Sequence, residues 1–196
     1  MKMIAVSQRV DRYPERGENR DAVDQRLLEF VSRCGGLPIQ VPNTLSQSGD
    51  MAPWLNVVRP AAIVLSGGND IGTCPERDST ERELLDYARI ASIPVLGICR
   101  GMQMMAIWAG GELKQVAGHV RSRHRLSGEI LGTANSYHAI NLLECPRDFV
   151  VLARSEDNEI EAIGHTVLRW EGWMWHPERE MEFDGRDLDR MKGLIK

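Results

Sequence analysis

The chain has 196 residues, 42% of them hydrophobic and 27% charged, a composition that is typical of a globular protein and excludes a disordered segment. Its formal net charge of −4 at pH 7 argues against a general nucleic-acid binder, because such proteins carry a basic excess. No stretch approaches the roughly 18 apolar residues of a membrane-spanning helix, and the N-terminus has no signal-peptide pattern. We therefore expect a cytoplasmic protein with one domain over residues 1–196 that binds neither nucleic acid nor a membrane.

Strand-like and helical patterns alternate along the first half of the chain. Short apolar runs predict strands at residues 3–7, 37–42, 61–65 and 93–98. The last two runs are apolar throughout, as in strands that are buried on both faces. Helical spacing predicts helices at residues 22–33, from a capping box at Asp78 and Glu81 onwards, and at residues 101–109.

The second half of the chain has shorter runs separated by turn residues. They predict strands at residues 139–143, 149–153, 160–163 and 167–175 and a terminal helix at residues 187–196. Alternating strands and helices connected by right-handed crossovers form a doubly wound sheet. The sequence therefore predicts an α/β fold with a mostly parallel sheet flanked by helices and with antiparallel additions in the second half.

Four cysteines are spread along the chain, at Cys34, Cys74, Cys99 and Cys145. They form no Cys-x-x-Cys pair, so we expect free thiols with no zinc site, no other metal and no disulfide framework. Cys99 differs from the rest because it follows a buried strand within Gly97-Ile98-Cys99-Arg100-Gly101, directly before a helix. This is the nucleophile-elbow pattern with cysteine in place of serine, and a helix N-terminus favours the thiolate. The alternative is a structural cysteine that packs like a small hydrophobic residue.

Two other stretches could complete a catalytic site around Cys99. His176 follows an apolar strand, and Glu178 could accept a hydrogen bond from its imidazole and fix the tautomer. Gly67 and Gly68 follow the strand at residues 61–65, where the N–H of Gly68 and that of Arg100 could form an oxyanion hole. The alternatives are an ordinary polar histidine and a plain turn at the end of a strand.

Three motifs occur in an order that resembles a known superfamily. They are Ser66-Gly67-Gly68, the stretch Gly97-Ile98-Cys99-Arg100-Gly101-Met102-Gln103, and His176-Pro177-Glu178. Together they resemble the class I glutamine amidotransferases, whose fold is flavodoxin-like, and in particular their stand-alone γ-glutamyl hydrolases. Arg77-Asp78, Glu81 and Asn135-Ser136-Tyr137-His138 strengthen the resemblance.

The resemblance implies a reaction and a set of residue roles. Cys99 would attack a γ-glutamyl carbonyl to form a glutamyl thioester, His176 would act as base and then acid, and Glu178 would orient His176. No cofactor is implied, and glutamate would be released by water. The residues that would bind the glutamyl group are Gly67, Gln103, Ser136, Tyr137 and His138.

The leaving group of the substrate is a separate question. Residues 114–125 hold four positive charges, two histidines and no acid, which suggests an anion site, although a solvated loop is the alternative. Arg9, Arg121 and Arg123 are the candidate anion-binding residues. One superfamily member that the chain resembles cleaves a γ-glutamyl cytidine-diphosphoramidate, which would suit a basic site. The six residues between Asp70 and Arg77 are fewer than the resemblance leads us to expect, which argues against a γ-aminobutyrate leaving group.

Two other functions stay open at the level of sequence. The chain could be a glutaminase subunit that supplies ammonia to a separate synthetase, or a non-enzymatic redox or binding protein that reuses the elbow cysteine. The pair His176 and Glu178 argues against the latter, because a sensor thiolate needs no such pair. A homodimer and a synthetase partner are both compatible with the sequence.

Overall fold

A computed structural model describes residues 2–196. Strands and helices alternate through the first half of the chain, and strands dominate the second half. The elements in chain order are β1 (Lys2–Val6), β2 (Arg9–Tyr13), β3 (Glu18–Ala22), α1 (Gln25–Arg33), β4 (Gly36–Gln40), α2 (Thr44–Ser48), α3 (Met51–Val58), β5 (Ala62–Leu65), α4 (Pro75–Ala91), β6 (Val95–Ile98), α5 (Arg100–Trp108), β7 (Leu113–Gln115), β8 (Val120–Gly128), β9 (Gly132–Tyr137), β10 (Ile140–Leu142), β11 (Phe149–Arg154), β12 (Ile160–His165), β13 (Trp170–Trp173) and α6 (Gly185–Leu194).

Nine strands form the central sheet in the order β4-β1-β5-β6-β13-β12-β11-β8-β9. The pairs from β4 to β13 are parallel, and those from β13 to β9 are antiparallel. Every residue of β5 and β6 is buried, as expected for central strands that are covered on both faces. The predicted α/β fold, with a parallel centre flanked by helices and antiparallel additions, is confirmed. Ligands of doubly wound sheets bind at the carboxyl ends of the strands. Here the carboxyl ends of β5 and β6 lie side by side.

Apolar side chains from the sheet and helices form one core. Leu84, Leu85 and Ala88 of α4 are fully buried, and so are the indoles of Trp170, Trp173 and Trp175, which lie on or directly after β13. The Trp175 Nε1 donates a hydrogen bond to Asp187 of α6 at 3.0 Å, which ties the C-terminal helix to the core. Within residues 2–196, no helix combines the length and apolarity that a membrane crossing requires.

Two of the predicted helix starts were wrong. Helix α1 begins at Gln25 and not at residue 22, because Asp24 has an extended backbone and accepts a hydrogen bond from the Arg26 N–H as its N-cap. Helix α4 begins at Pro75, whose fixed φ suits a first turn. Asp78 and Glu81 therefore lie inside that helix, where they form ion pairs instead of a capping box.

Two hairpins were not predicted. Strands β2 and β3 form one, and β3 is almost entirely exposed and polar, so hydrophobic periodicity gives no signal. Strands β8 and β9 form the other, and they include part of the basic segment at residues 114–125. Most of β8 is exposed or half-buried, and for that reason its arginines resemble those of a loop in the sequence.

Candidate active site

The backbone of Cys99 turns sharply between β6 and α5. Its φ and ψ angles are 50° and −105°, a region that a residue with a side chain rarely adopts. A Cβ at Gly97 would lie 2.6 Å from the Gly101 carbonyl carbon, and a Cβ at Gly101 would overlap the Leu65 carbonyl oxygen. Both glycines are therefore required for the turn. The Cys99 N–H donates to the Trp173 carbonyl at 2.7 Å, which fixes the turn against the neighbouring strand.

His176 follows β13 and forms a hydrogen-bonded pair with Glu178. The imidazole Nδ1 lies 2.6 Å from the Glu178 Oε1, and both side chains are buried. Burial acts to lower the pKa of His176, but hydrogen bonds and charges from Cys99 and Glu178 outweigh it and raise this pKa to about 9. The imidazole is thus paired with a carboxylate through Nδ1, and Cys99 lies near enough to contribute to its raised pKa.

Asn135 of β9 holds the backbone of His176 in place. The His176 N–H donates to the Asn135 Oδ1 at 2.9 Å, and the Asn135 Nδ2 donates to the His176 carbonyl at 2.8 Å. The same Nδ2 also lies 2.8 Å from a carboxylate oxygen of Glu180. These two hydrogen bonds join the β8–β9 hairpin directly to the backbone of His176.

The loop after β5 is held by a buried guanidinium. Arg77 donates to the carbonyl oxygens of Ser66, Gly67 and Gly68 at 2.7, 3.0 and 2.7 Å. Arg77 also pairs with Glu81 at 3.0 Å, and Glu81 pairs in turn with Arg100. Sequence reasoning associated Arg77 and Glu81 with the resemblance but assigned neither of them a role in the site.

Glu81 remains an ionised carboxylate in this buried network. Burial acts to raise its pKa, but the charges of Arg100 and Arg77 and a hydrogen bond from Ser7 lower the pKa below its ordinary value. The guanidinium of Arg100 is engaged by both Asp78 and Glu81. Its backbone N–H, at the start of α5, is the group of Arg100 that remains for the Cys99 side of the turn.

Two cavities border His176. One, of about 300 Å³, opens on Cys99 and is also lined by Gly68, Arg100, Gln103, Tyr137, His138, His176 and Arg179. The other, of about 280 Å³, is lined by residues that include Arg9, Asp24, Gly67, Gly68, His176, Glu178 and Arg179. Gly68, His176 and Arg179 line both cavities, so the imidazole is part of the wall of each.

The structure brings most of the predicted substrate residues to these cavities. The Gln103 Nε2 donates to the Ile140 carbonyl at 2.8 Å, and the Tyr137 ring lies edge-on to the His176 ring with centroids 5.8 Å apart. Ser136 is fully buried, and its hydroxyl donates to the His119 carbonyl at 2.7 Å. The Ser136 side chain is thus occupied within the fold, and Ser136 is not among the residues that line either cavity.

The structure does not bring the three predicted anion-binding arginines together. Arg123 is bound to both carboxylate oxygens of Glu180 at 2.9 and 3.0 Å, and Arg121 is an exposed residue with φ 56° at an irregularity of β8. Among the three predicted arginines, Arg9 is the one that lines a described cavity beside His176. Arg179, which sequence reasoning missed, lines both cavities and lies 4.4 Å above the Tyr137 ring. Its one sequence signal was its position directly after Glu178.

Comparison with known proteins gives a consistent family. Residues 2–178 match the family Peptidase C26. The chain is 31% identical to the gamma-glutamyl-CDP-amidate hydrolase of Campylobacter jejuni over 71% of this chain and 72% of the relative. It is 32% identical to anthranilate synthase component 2 of Thermococcus kodakarensis over 90% of each chain. It is 34% identical to a subunit of the glutamine-hydrolyzing GMP synthase of Methanothrix thermoacetophila over 61% of this chain and 71% of the relative.

Solved structures share the fold at lower identity. A putative GMP synthase subunit from Thermoplasma acidophilum superposes with a TM-score of 0.76 at 20% identity, over all of this chain and 94% of that one. A glutamine amidotransferase from Thermotoga maritima gives a TM-score of 0.66 at 13% identity, over 99% and 94%. The match over residues 2–178 and the relatives above 30% identity carry the assignment: the chain belongs to the Peptidase C26 family of class I glutamine amidotransferase-like hydrolases.

Proposed function

We propose that the protein is a cysteine-dependent hydrolase that releases glutamate from a γ-glutamyl amide or phosphoramidate. In this proposal Cys99 is the nucleophile, His176 the base and then the acid, and Glu178 the residue that orients His176. One observation carries it: Cys99, on a sharp strand-to-helix turn, lines the same cavity as His176, whose buried imidazole pairs with Glu178 at 2.6 Å. This arrangement suits nucleophilic catalysis by a thiolate.

The reaction would proceed in two steps. His176 first takes the proton of the Cys99 thiol. The resulting thiolate attacks the γ-carbonyl carbon, the C–N bond breaks, and His176 gives this proton to the leaving nitrogen. A glutamyl thioester remains on Cys99. Water then attacks the thioester, the neutral His176 removes a proton from that water, and the thiolate leaves as glutamate is released. The raised pKa of His176 supports the first step, because the imidazole retains its proton until the leaving nitrogen accepts it.

The backbone N–H groups of Gly68 and Arg100 would stabilise the negative charge on the carbonyl oxygen. Both residues line the cavity that opens on Cys99. Arg77 anchors the loop that carries Gly68, and Asp78 and Glu81 hold the Arg100 side chain. Because the donors would already be in place, no reorganisation free energy would be needed when the charge develops. The α-amino and α-carboxylate ends of the glutamyl group would contact Gly67, Gln103, Ser136, Tyr137 and His138.

The leaving group would be anionic and would contact Arg9 and Arg179. Both arginines line the cavity of about 280 Å³ beside His176, and both are exposed. Arg9 already contacts Asp11 at 2.6 Å, whereas Arg179 has no ion-pair partner within residues 2–196. A phosphoryl group would provide the oxygens that a free guanidinium binds. The similarity to the gamma-glutamyl-CDP-amidate hydrolase of Campylobacter jejuni agrees with this chemistry.

A second candidate function is a glutaminase subunit that delivers ammonia to a separate synthetase. Two of the relatives above, anthranilate synthase component 2 and the GMP synthase subunit of Methanothrix thermoacetophila, favour it. The two functions differ in what the isolated chain does, because a free-standing hydrolase needs no partner for turnover.

The experiment is a measurement of glutamate release by the isolated protein from glutamine, a neutral γ-glutamyl anilide and a γ-glutamyl phosphoramidate. We expect turnover of the phosphoramidate at the highest kcat/KM and a loss on the order of 10⁴-fold or more in Cys99→Ala. Equal turnover by Cys99→Ala would refute the mechanism. Activity on glutamine that requires a synthetase would favour the second function, and no turnover of any substrate would favour a binding or redox role.

A further inference from the structure

Three histidines and one glutamate gather beside the cavity that opens on Cys99, which His138 also lines. We call this group the histidine cluster: His119, His124, His138 and Glu161. The ring centroid of His119 lies 4.1 Å from that of His124 and 4.8 Å from that of His138. The Oε1 of Glu161, on β12, lies 3.2 Å from the His119 Nδ1 and 3.6 Å from the His138 Nε2. The cluster uses none of the residues to which the proposed reaction assigns a proton transfer.

Several polar atoms of the histidine cluster are buried without a hydrogen bond. His119, His138 and Glu161 have exposed fractions of 0%, 3% and 1%. Within residues 2–196, the His119 Nδ1, both ring nitrogens of His138 and the Glu161 Oε1 have no hydrogen-bond partner. Buried nitrogen and oxygen acceptors without partners are unfavourable, and a cation between His119 and Glu161 would satisfy the unpartnered atoms of these two residues together.

We propose that His119, His124 and Glu161 bind a divalent transition-metal ion of the kind that accepts imidazole and carboxylate ligands, such as Zn²⁺. One candidate ligand atom from each of these residues lies within 4.8 Å of the other two. Two imidazoles and a carboxylate form a common three-ligand set for zinc, with the fourth position taken by water. We expected no metal because the chain has no Cys-x-x-Cys pair, but that argument does not apply to this set, whose ligands are two histidines and a glutamate.

The surroundings of His119 support this assignment. Its Nε2 lies 2.9 Å from the Asp157 carboxylate, which leaves Nδ1 free to face Glu161. Histidines that bind metals usually make such a bond to a carboxylate through the other nitrogen, which fixes the tautomer. Ligand atoms on one zinc ion are roughly 3–3.5 Å apart, so the set must contract slightly on binding. His124 can supply this movement, because it is half-buried and its Nε2 contacts only the Ser122 hydroxyl, at 3.2 Å.

A metal ion here would join the β8–β9 hairpin to strand β12. The hairpin pairs with the main sheet through Ser127 and Gly128, at the end remote from His119. At its other end, Tyr137 and His138 form part of the wall of the Cys99 cavity. The ion would therefore hold the hairpin at its Tyr137 end, whereas the pairing with the main sheet holds it at its Ser127 end.

The test uses the Cys99→Ala protein, because a thiolate beside His176 could itself bind zinc. After treatment with a chelator, Zn²⁺ is titrated by calorimetry. We expect one ion per chain, and we expect His124→Ala and Glu161→Gln to lose it. His165→Ala is the matched control, since His165 packs on Phe149 and Trp170 outside the cluster, and it should retain the ion.

Circular dichroism checks that each variant folds, and the half-buried His124 keeps the test valid if the buried Glu161 does not tolerate substitution. Co²⁺ provides a second measurement: its visible absorption should appear with Cys99→Ala and disappear with the added His124→Ala. Absence of saturable zinc binding in the micromolar range would overturn the proposal. Binding that survives in both His124→Ala and Glu161→Gln would overturn it as well.

Discussion

Gly67 lies directly against the imidazole of His176. A Cβ at this position would be 2.6 Å from the ring Cε1, closer than any packed side chain can approach. The loop that follows β5 and the residue that follows β13 therefore fit together only if residue 67 has no side chain. The geometry of the imidazole depends on the loop as much as on its own strand.

Gly67→Ala should displace the His176 ring and lower kcat/KM by about 10²-fold, the effect expected from a misplacement of about 1 Å. Folding should be affected little, because the ring can rotate. Gly193→Ala is the matched control, since a Cβ there meets no atom within 4 Å. Steady-state kinetics on a γ-glutamyl substrate would measure the difference, and an unchanged kcat/KM would contradict the contact.

The folded protein should be less stable at alkaline pH because of His176. The pKa of this residue is about 9 in the folded state, above the ordinary value of about 6.5. The protonated imidazole thus contributes its full stabilisation below about pH 6.5 and loses it as the pH rises through 9. Denaturant unfolding should be measured at several pH values for the wild type and for His176→Gln. The two free energies of unfolding should converge as the pH rises from 6.5 to 9. A constant difference across this range would show that the pKa is not raised.

Arg77→Met should destabilise the protein by about 3–5 kcal/mol, because it leaves part of the buried charge of Glu81 uncompensated. It should also reduce activity, since the Ser66–Gly68 carbonyls lose their shared donor. Arg82→Met on the exposed face of the same helix should stay within about 0.5 kcal/mol of the wild type. Thermal unfolding would measure both variants, and equal effects would contradict the role of Arg77.

Arg179→Ala should raise the KM of a phosphoramidate substrate about 10-fold or more, which corresponds to the loss of one charge-assisted hydrogen bond. The KM for glutamine should be nearly unchanged, because its leaving group is ammonia. Arg123→Ala should leave both KM values unchanged, since Arg123 is engaged by Glu180. An equal rise for glutamine and phosphoramidate would place Arg179 at the glutamyl end instead.

The sequence predicts which residues lie around Cys99 better than it predicts the ion pairs and hydrogen bonds that hold them in place. Cys99, His176 and Gly67 each directly follow or closely follow an apolar strand, and strands in a parallel sheet end at one edge, so their convergence follows from local pattern. The ion pairs of Arg77, Glu81 and Arg100 join a helix, a loop and another helix start. No spacing along the chain encodes such contacts, which depend on how the elements pack.

The basic segment shows a second limit of sequence reasoning. Arg121 and Arg123 form a charged stretch that suggests an anion site, but a stretch does not reveal which acid each arginine faces. Glu180, far away in sequence, engages Arg123. The sequence does not predict the histidine cluster for the same reason, because Glu161 lies on β12, far along the chain from the histidines that it contacts.

The two hydrogen bonds between Asn135 and the backbone of His176 have a mechanical consequence. The hairpin that bears Asn135 also bears Tyr137, at the rim of the Cys99 cavity. A displacement of that hairpin would therefore reach the backbone of His176 directly, through these two bonds. We expect a ligand or a neighbouring protein that contacts the rim at Tyr137 to change the position of the imidazole as well.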